Sequence, residues 1–88
     1  MISREFTISN ELGLHARPSA QITQTATRYR REVYIAKGAR RVNAKSIMGV
    51  MMLAAGQGSV VVVDADGPDE AEAIDALAQL IESGFGED

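Results

Sequence analysis

The octapeptide Gly13-Leu14-His15-Ala16-Arg17-Pro18-Ser19-Ala20 marks the place where an opening strand gives way to a helix, and the order of the remaining elements follows from it. Proline is favoured in a first helical turn, where its missing N–H is no loss, so Pro18 sets the helix start. His15, the only histidine, falls immediately before that start. There it faces backbone N–H groups without intrahelical acceptors and the positive end of the helix dipole. Such an end takes anions, phosphate above all. Arg17 adds a planar, permanently charged fork suited to phosphate oxygens. Neutral imidazole is a nucleophile, and positive surroundings favour the neutral form. A nucleophile beside groups that stabilise phosphate reads as a phosphohistidine site. The same placement also suits an ordinary surface or capping histidine. With one His and no Cys, these residues cannot build a metal set or a thiol dyad. No Gly-x-Ser-x-Gly elbow is present either.

Upstream of the octapeptide, residues 2–8 alternate, with Ile2, Phe6 and Ile8 on one face and Glu5 and Thr7 on the other, as in a half-buried strand. Asn10 to Gly13 reads as a loop. Downstream, the helix is predicted from about Ala16 to Thr27, with a thin inner stripe of Ser19, Ile22, Ala26 and Tyr29. Glu32 to Lys37 reads as a second strand with Val33 and Ile35 inward. Gly38 turns it into a short third strand, Arg40 to Asn43. Ser46 is placed as the N-cap of a second helix that ends before Gly56. Gln57 and Gly58 turn the chain into Val60–Val63, a valine run expected in the sheet interior. The stretch from Asp64 to Pro68 then reads as a turn. Asp69 with Glu72 predicts a capping box for a last helix that buries Ile74, Leu77, Ala78 and Ile81. The tail from Gly84 is expected to fray.

The order strand, helix, strand, strand, helix, strand, helix predicts an α+β fold. Its simplest form is a four-stranded, mostly antiparallel sheet with three helices on one face and solvent on the other. Eighty-eight residues make one domain, 1–88. The absence of cysteine excludes a disulfide framework and fits a reducing compartment. No charged-then-apolar leader and no bilayer-spanning apolar run are visible, so a soluble intracellular protein is expected.

The net charge of −3 hides an asymmetry. Residues 1–45 hold all nine basic residues and three acids, and residues 46–88 hold the other nine acids. Either the two halves neutralise each other across the packed domain, or part of the surface is positive. Arg28, Arg30, Arg31, Arg40 and Arg41 could meet nucleic acid. An acidic protein fits at least as well, because the chain is acidic overall and has only four aromatic rings for stacking bases.

The segment Ser46 to Ala55 is too apolar for its size. Ile47, Met48, Val50, Met51, Met52 and Leu53 wrap most of the circumference, whereas a helix lying on a sheet buries about half of its surface. The excess is either covered by a loop or exposed as an interaction patch, where adaptable methionines are useful. Ser46 has a structural role as a cap. A regulatory reading stands beside it, since a phosphate at a helix N-terminus would place about two negative charges beside the patch.

Two motifs, residues 13–20 and Asn43-Ala44-Lys45-Ser46-Ile47-Met48-Gly49-Val50-Met51-Met52-Leu53, resemble the HPr family. These are the histidine-containing phosphocarriers of the bacterial phosphoenolpyruvate-dependent phosphotransferase system, and the likeness spans essentially the whole chain. It implies an open-faced β-sandwich. It implies that His15 carries phosphate on Nδ1, as a pros-phosphohistidine, taken from phosphorylated enzyme I and passed to A domains of sugar permeases or related regulators. By the same likeness Ala16 and Arg17 stabilise the phosphate, Arg17 assists transfer, and Ile47, Met48 and Met51 dock partners. Ser46 matches the position phosphorylated by the ATP-dependent HPr kinase/phosphorylase. The resemblance implies a cytoplasmic, monomeric carrier rather than an enzyme, with no metal, no cofactor, no nucleic acid partner and no membrane insertion. Where family members often carry extra lysines, this chain has Gln24, Thr27 and Gly49. A nitrogen-regulatory carrier sharing the His15 motif, and a purely regulatory docking module, stand as alternatives.

Overall fold

The computed structural model describes residues 1–29 and 32–86. Arg30 and Arg31 of the basic group lie outside the described residues. The elements run β1 (Ile2–Thr7), α1 (Ala16–Ala26), β2 (Glu32–Lys37), β3 (Arg40–Asn43), α2 (Ile47–Met51), β4 (Val60–Asp66) and α3 (Glu70–Glu82), followed by a 3₁₀ turn at Gly84–Gly86. The sheet order is β1-β4-β2-β3, with every neighbouring pair antiparallel. The valine run therefore lies in the sheet interior, as its composition requires. The three helices cover one sheet face, as the element order predicts, and the result is the open-faced sandwich that the resemblance implies. Alternation explains which side chains they cover: Phe6, Val33, Ile35, Val61 and Val63 point into the core, where Ile22, Ile74, Leu77 and Ile81 meet them.

Several local expectations are corrected. Ile2 is on the inner parity of β1, but it lies at the strand's free end and is 36 % exposed. The second helix stops at Met51, well short of Ala55. Leu53 and Ala54 bond back three residues, to Val50 and Met51 carbonyls, and Ala54 then turns left-handed at φ +51°. That reversal sends Leu53 and Ala55 into the core. The last strand runs on to Asp66, through residues read as a turn. Asp64 can sit in a strand because it points to the open face, where Arg41 neutralises it. The capping box at Asp69 and Glu72 is not formed. Asp69 occupies the N-cap but has φ −114° and ψ 29°, outside the extended backbone of a capping residue, and makes no side-chain cap bond. The tail does not fray at Gly84: Phe85, left-handed at φ +60° between two positive-φ glycines, is buried in the core.

Among the described residues, Arg4, Arg41 and the amino terminus pair with acids of the second half across the fold. The guanidinium of Arg41 donates to both Asp64 carboxylate oxygens, at 3.1 and 2.8 Å, and stacks 3.8 Å from the centre of the Tyr34 ring. The Tyr34 hydroxyl donates to Glu32, and that bond holds the phenol above the usual tyrosine range. Arg4 reaches Asp75 and Glu82, and the amino terminus lies 3.0 Å from Glu70.

Candidate functional site

His15 is the N-cap of α1, with extended backbone (φ −76°, ψ −168°), and its side chain makes no cap hydrogen bond to the helix. The segment that presents it is held at nearly every backbone group. The Asn10 side chain donates to the Gly13 carbonyl at 2.8 Å, and the Leu14 N–H donates to the Ala55 carbonyl at 2.8 Å. The Ser19 hydroxyl donates to the Leu14 carbonyl at 3.1 Å, and the Ser19 N–H to the His15 carbonyl at 3.0 Å. Buried Leu14 anchors the segment from below. The imidazole is thus attached to a backbone that cannot easily move, at the rim of the core.

What lies around the imidazole follows from helix geometry. The first three helical residues are Ala16, Arg17 and Pro18. None has an intrahelical acceptor for its N–H, and Pro18 has no N–H at all. The donors left at this helix end are the Ala16 and Arg17 amides, one and two residues after His15 in sequence. Ala16 and Arg17 are exposed, whereas Pro18 and Ser19 are buried. One helix end thus gathers the His15 imidazole, two amide donors and the dipole, with the exposed Arg17 in its first turn.

The second sequence motif forms the neighbouring surface. Ser46, exposed and extended, accepts the Gly49 N–H at 3.1 Å and so caps α2 as expected. Val50 and Leu53 turn into the core. Ile47, Met48, Met51 and Met52 remain 42, 70, 39 and 59 % exposed, so no loop covers them. Two bonds tie this surface to α1 and to the turn after it: Thr23 Oγ1 donates to the Ala44 carbonyl at 3.2 Å and Lys45 Nζ to the Tyr29 carbonyl at 2.8 Å. Gln24 is exposed on α1, and Thr27 is exposed at its C-cap.

Three features were not read from the sequence. Leu12, three residues before His15, is 69 % exposed. Lys37 and Arg40 donate to carbonyls in the segment following α2. Gly13 has φ +66°, and a Cβ there would lie 2.3 Å from the Ala55 carbonyl oxygen. The exposed leucine was visible in the loop composition; the other two are non-local contacts. Among the described residues no group of His, Cys, Asp and Glu could hold a metal ion, and no helix is long and apolar enough to cross a membrane.

Comparison with known proteins bears on the whole chain. The family model described as PTS HPr component phosphorylation site matches residues 2–83. The phosphocarrier protein HPr of Cupriavidus necator is 58 % identical over 87 residues, covering 99 % of this chain and 98 % of that one. The crystal structure of HPr from Thermoanaerobacter tengcongensis superimposes with a TM-score of 0.96 at 50 % identity, covering 100 % of this chain and 99 % of that chain. HPr from Bacillus anthracis gives 0.86 at 41 %, covering 91 % and 95 %. By sequence and by fold, the chain belongs to the HPr family, the phosphocarrier proteins of the phosphotransferase system.

Proposed function

We propose that this chain, as a single HPr-like domain over residues 1–88, relays a phosphoryl group on His15, from phosphorylated enzyme I to the A domains of sugar permeases or related regulators. The observation that carries this reading is the placement of the imidazole at the N-cap of α1, at the helix end that begins with Ala16 and Arg17. In the first step the Nδ1 lone pair of neutral His15 attacks phosphorus. The bond from phosphorus to the donor breaks, and its electron pair leaves with the donor. The second step reverses this onto the acceptor, and the imidazole regains its lone pair.

The stabilisation offered to the phosphate is modest. A charge at an exposed helix end gains about 0.3–1 kcal/mol from the dipole, and a charge-assisted hydrogen bond is worth roughly 1.5–3 kcal/mol. A carrier needs that range, because a more tightly held phosphate would not be passed on. Positioning and charge neutralisation make up most of phosphoryl transfer, and the partner enzyme supplies the rest. The protein is accordingly a substrate of its partners and works as a cytoplasmic monomer. Ile47, Met48 and Met51 form the docking surface.

Ser46 is the regulatory acceptor in this reading, phosphorylated by the HPr kinase/phosphorylase. Its exposed position next to Ile47 and Met48 supports that role, since a dianion there faces every partner that docks. Incubation with enzyme I and labelled phosphoenolpyruvate tests the central claim. The expected product is one acid-labile, base-stable phosphate per chain, absent from His15→Ala. Label retained by His15→Ala would refute the assignment.

A further inference from the structure

We infer that Lys37 and Arg40 are positioning residues for phosphoryl transfer, acting through the backbone of the loop 52–56. The inference rests on the reading of His15 as the phosphoryl acceptor. It begins with the carbonyls that follow α2, which no helical N–H can satisfy. The Met52 carbonyl accepts Arg40 Nη1 at 3.1 Å, the Ala54 carbonyl accepts Lys37 Nζ at 3.2 Å, and the Ala55 carbonyl accepts the Leu14 N–H at 2.8 Å. Two cations of the β2–β3 hairpin and the residue preceding His15 thus hold one short stretch of backbone.

Two further features show that this stretch is constrained. Lys37 and Arg40 are directly opposite each other in the β2–β3 ladder. Like charges in that relation repel, and their convergence on loop carbonyls offsets the repulsion. Ala54 holds a left-handed backbone at φ +51°, a conformation that persists only where its surroundings over-determine it.

The loop has one end at the exposed Met51 and Met52 and the other against Gly13 and Leu14, where only a glycine fits. A partner that docks on α2 and reacts at His15 therefore spans this loop. Its shape sets the offset between docking surface and imidazole, and misplacement by about 1 Å can cost roughly a hundredfold in rate. A loop held by the half-buried Lys37 and the exposed Arg40 is the element through which that offset is adjusted.

The test compares the wild type with Lys37→Ala/Arg40→Ala, changes at surface positions that leave the core intact. Three readouts are taken. Native-state hydrogen exchange at the Leu14 amide should accelerate several-fold, while the Val61 amide in the central strand exchanges as in the wild type. The kcat for transfer from enzyme I should fall about tenfold. The fall should persist at about 1 M salt, where exposed charges are screened beyond roughly 3 Å. Phosphorylation of His15 by phosphoramidate, a small donor with no docking surface, should proceed at the wild-type rate. Lys37→Arg and Arg40→Lys, which keep a donor at each carbonyl, should retain most of the activity.

An unchanged Leu14 exchange rate overturns the inference. A transfer defect confined to KM and abolished by salt also overturns it, because it identifies the cations as steering charges only. Equal losses with both donors also overturn it, because they place the defect in the imidazole itself and not in the offset from the docking surface. If enzyme I fails to label the wild type, the carrier reading falls on its own, and Leu14 exchange still decides whether the two cations hold the loop.

Discussion

Replacing Gly13 by alanine should damage the protein far more than the same change at Gly38, although both residues have left-handed backbone, at φ +66° and +59°. An alanine in that conformation costs about 1–2 kcal/mol in either place. Loss of glycine's freedom in the unfolded chain offsets about 0.4–1 kcal/mol of it, again in both. The surroundings differ. A Cβ on Gly38 meets nothing within 4 Å. A Cβ on Gly13 would lie 2.3 Å from the Ala55 carbonyl oxygen and 2.6 Å from Gly56 Cα, both backbone atoms with no rotamer to yield. Making room means separating the 13–14 and 55–56 segments and giving up the Leu14–Ala55 hydrogen bond. Overpacking of this kind costs about 1–3 kcal/mol, and the lost bond about 1 kcal/mol more. Gly13→Ala should therefore be less stable than Gly38→Ala by about 2–4 kcal/mol, a gap of at least about 8 °C in Tm for a domain of this size. Thermal unfolding followed by far-UV circular dichroism measures it. Because the Ala55 contact also fixes the residue before His15, folded Gly13→Ala should accept phosphate from enzyme I more slowly than folded Gly38→Ala. If the two variants melt together, the close approach is not a constraint and the reasoning fails.

Arg17→Lys keeps the charge but loses the planar fork, so transfer should slow in both directions with folding intact; unchanged rates would remove Arg17 from the mechanism. Ser46→Asp retains a capping oxygen for the Gly49 N–H and adds one charge beside Met48 and Met51, so docking to enzyme I should weaken with little change in Tm. That weakening should shrink as salt rises, since the screening length is about 8 Å at physiological ionic strength; a salt-independent loss would point to a distorted helix instead. Phe85→Ala should destabilise the fold by about 3 kcal/mol in urea denaturation, because the residue is only 3 % exposed at the end of a segment that composition marks as a tail; a change within about 0.5 kcal/mol would mean that the 3₁₀ turn contributes nothing.

Much of the fold was legible because it rests on local periodicity. Val33 and Ile35 inward, Ile22 and Ala26 on one stripe, and Ile74, Leu77, Ala78 and Ile81 on another are consequences of strand and helix repeats that a sequence displays directly. His15 and Ser46 as N-caps were legible for a similar reason, since Pro18 within the first turn and a hydroxyl before an apolar run are local signals. The errors fall where a distant partner decides. Asp64 looked like a turn residue until Arg41, 23 positions away in sequence, neutralised it in a strand. Composition at Asp69 and Glu72 satisfied the capping-box pattern, but the backbone entering α3 set a φ and ψ that the pattern does not record.

The sequence by itself determined the element order, the inward faces of the strands and helices, and a histidine and a serine each at the start of a helix. These depend on residue types within a few positions of one another. Only the tertiary structure decided where α2 ends, that Phe85 returns to the core, that Arg4 and Arg41 meet acids from the other half of the chain, and that Gly13 rests against Ala55. Each of these is a contact between segments far apart in the chain. Its free energy depends on a three-dimensional approach that no local pattern encodes.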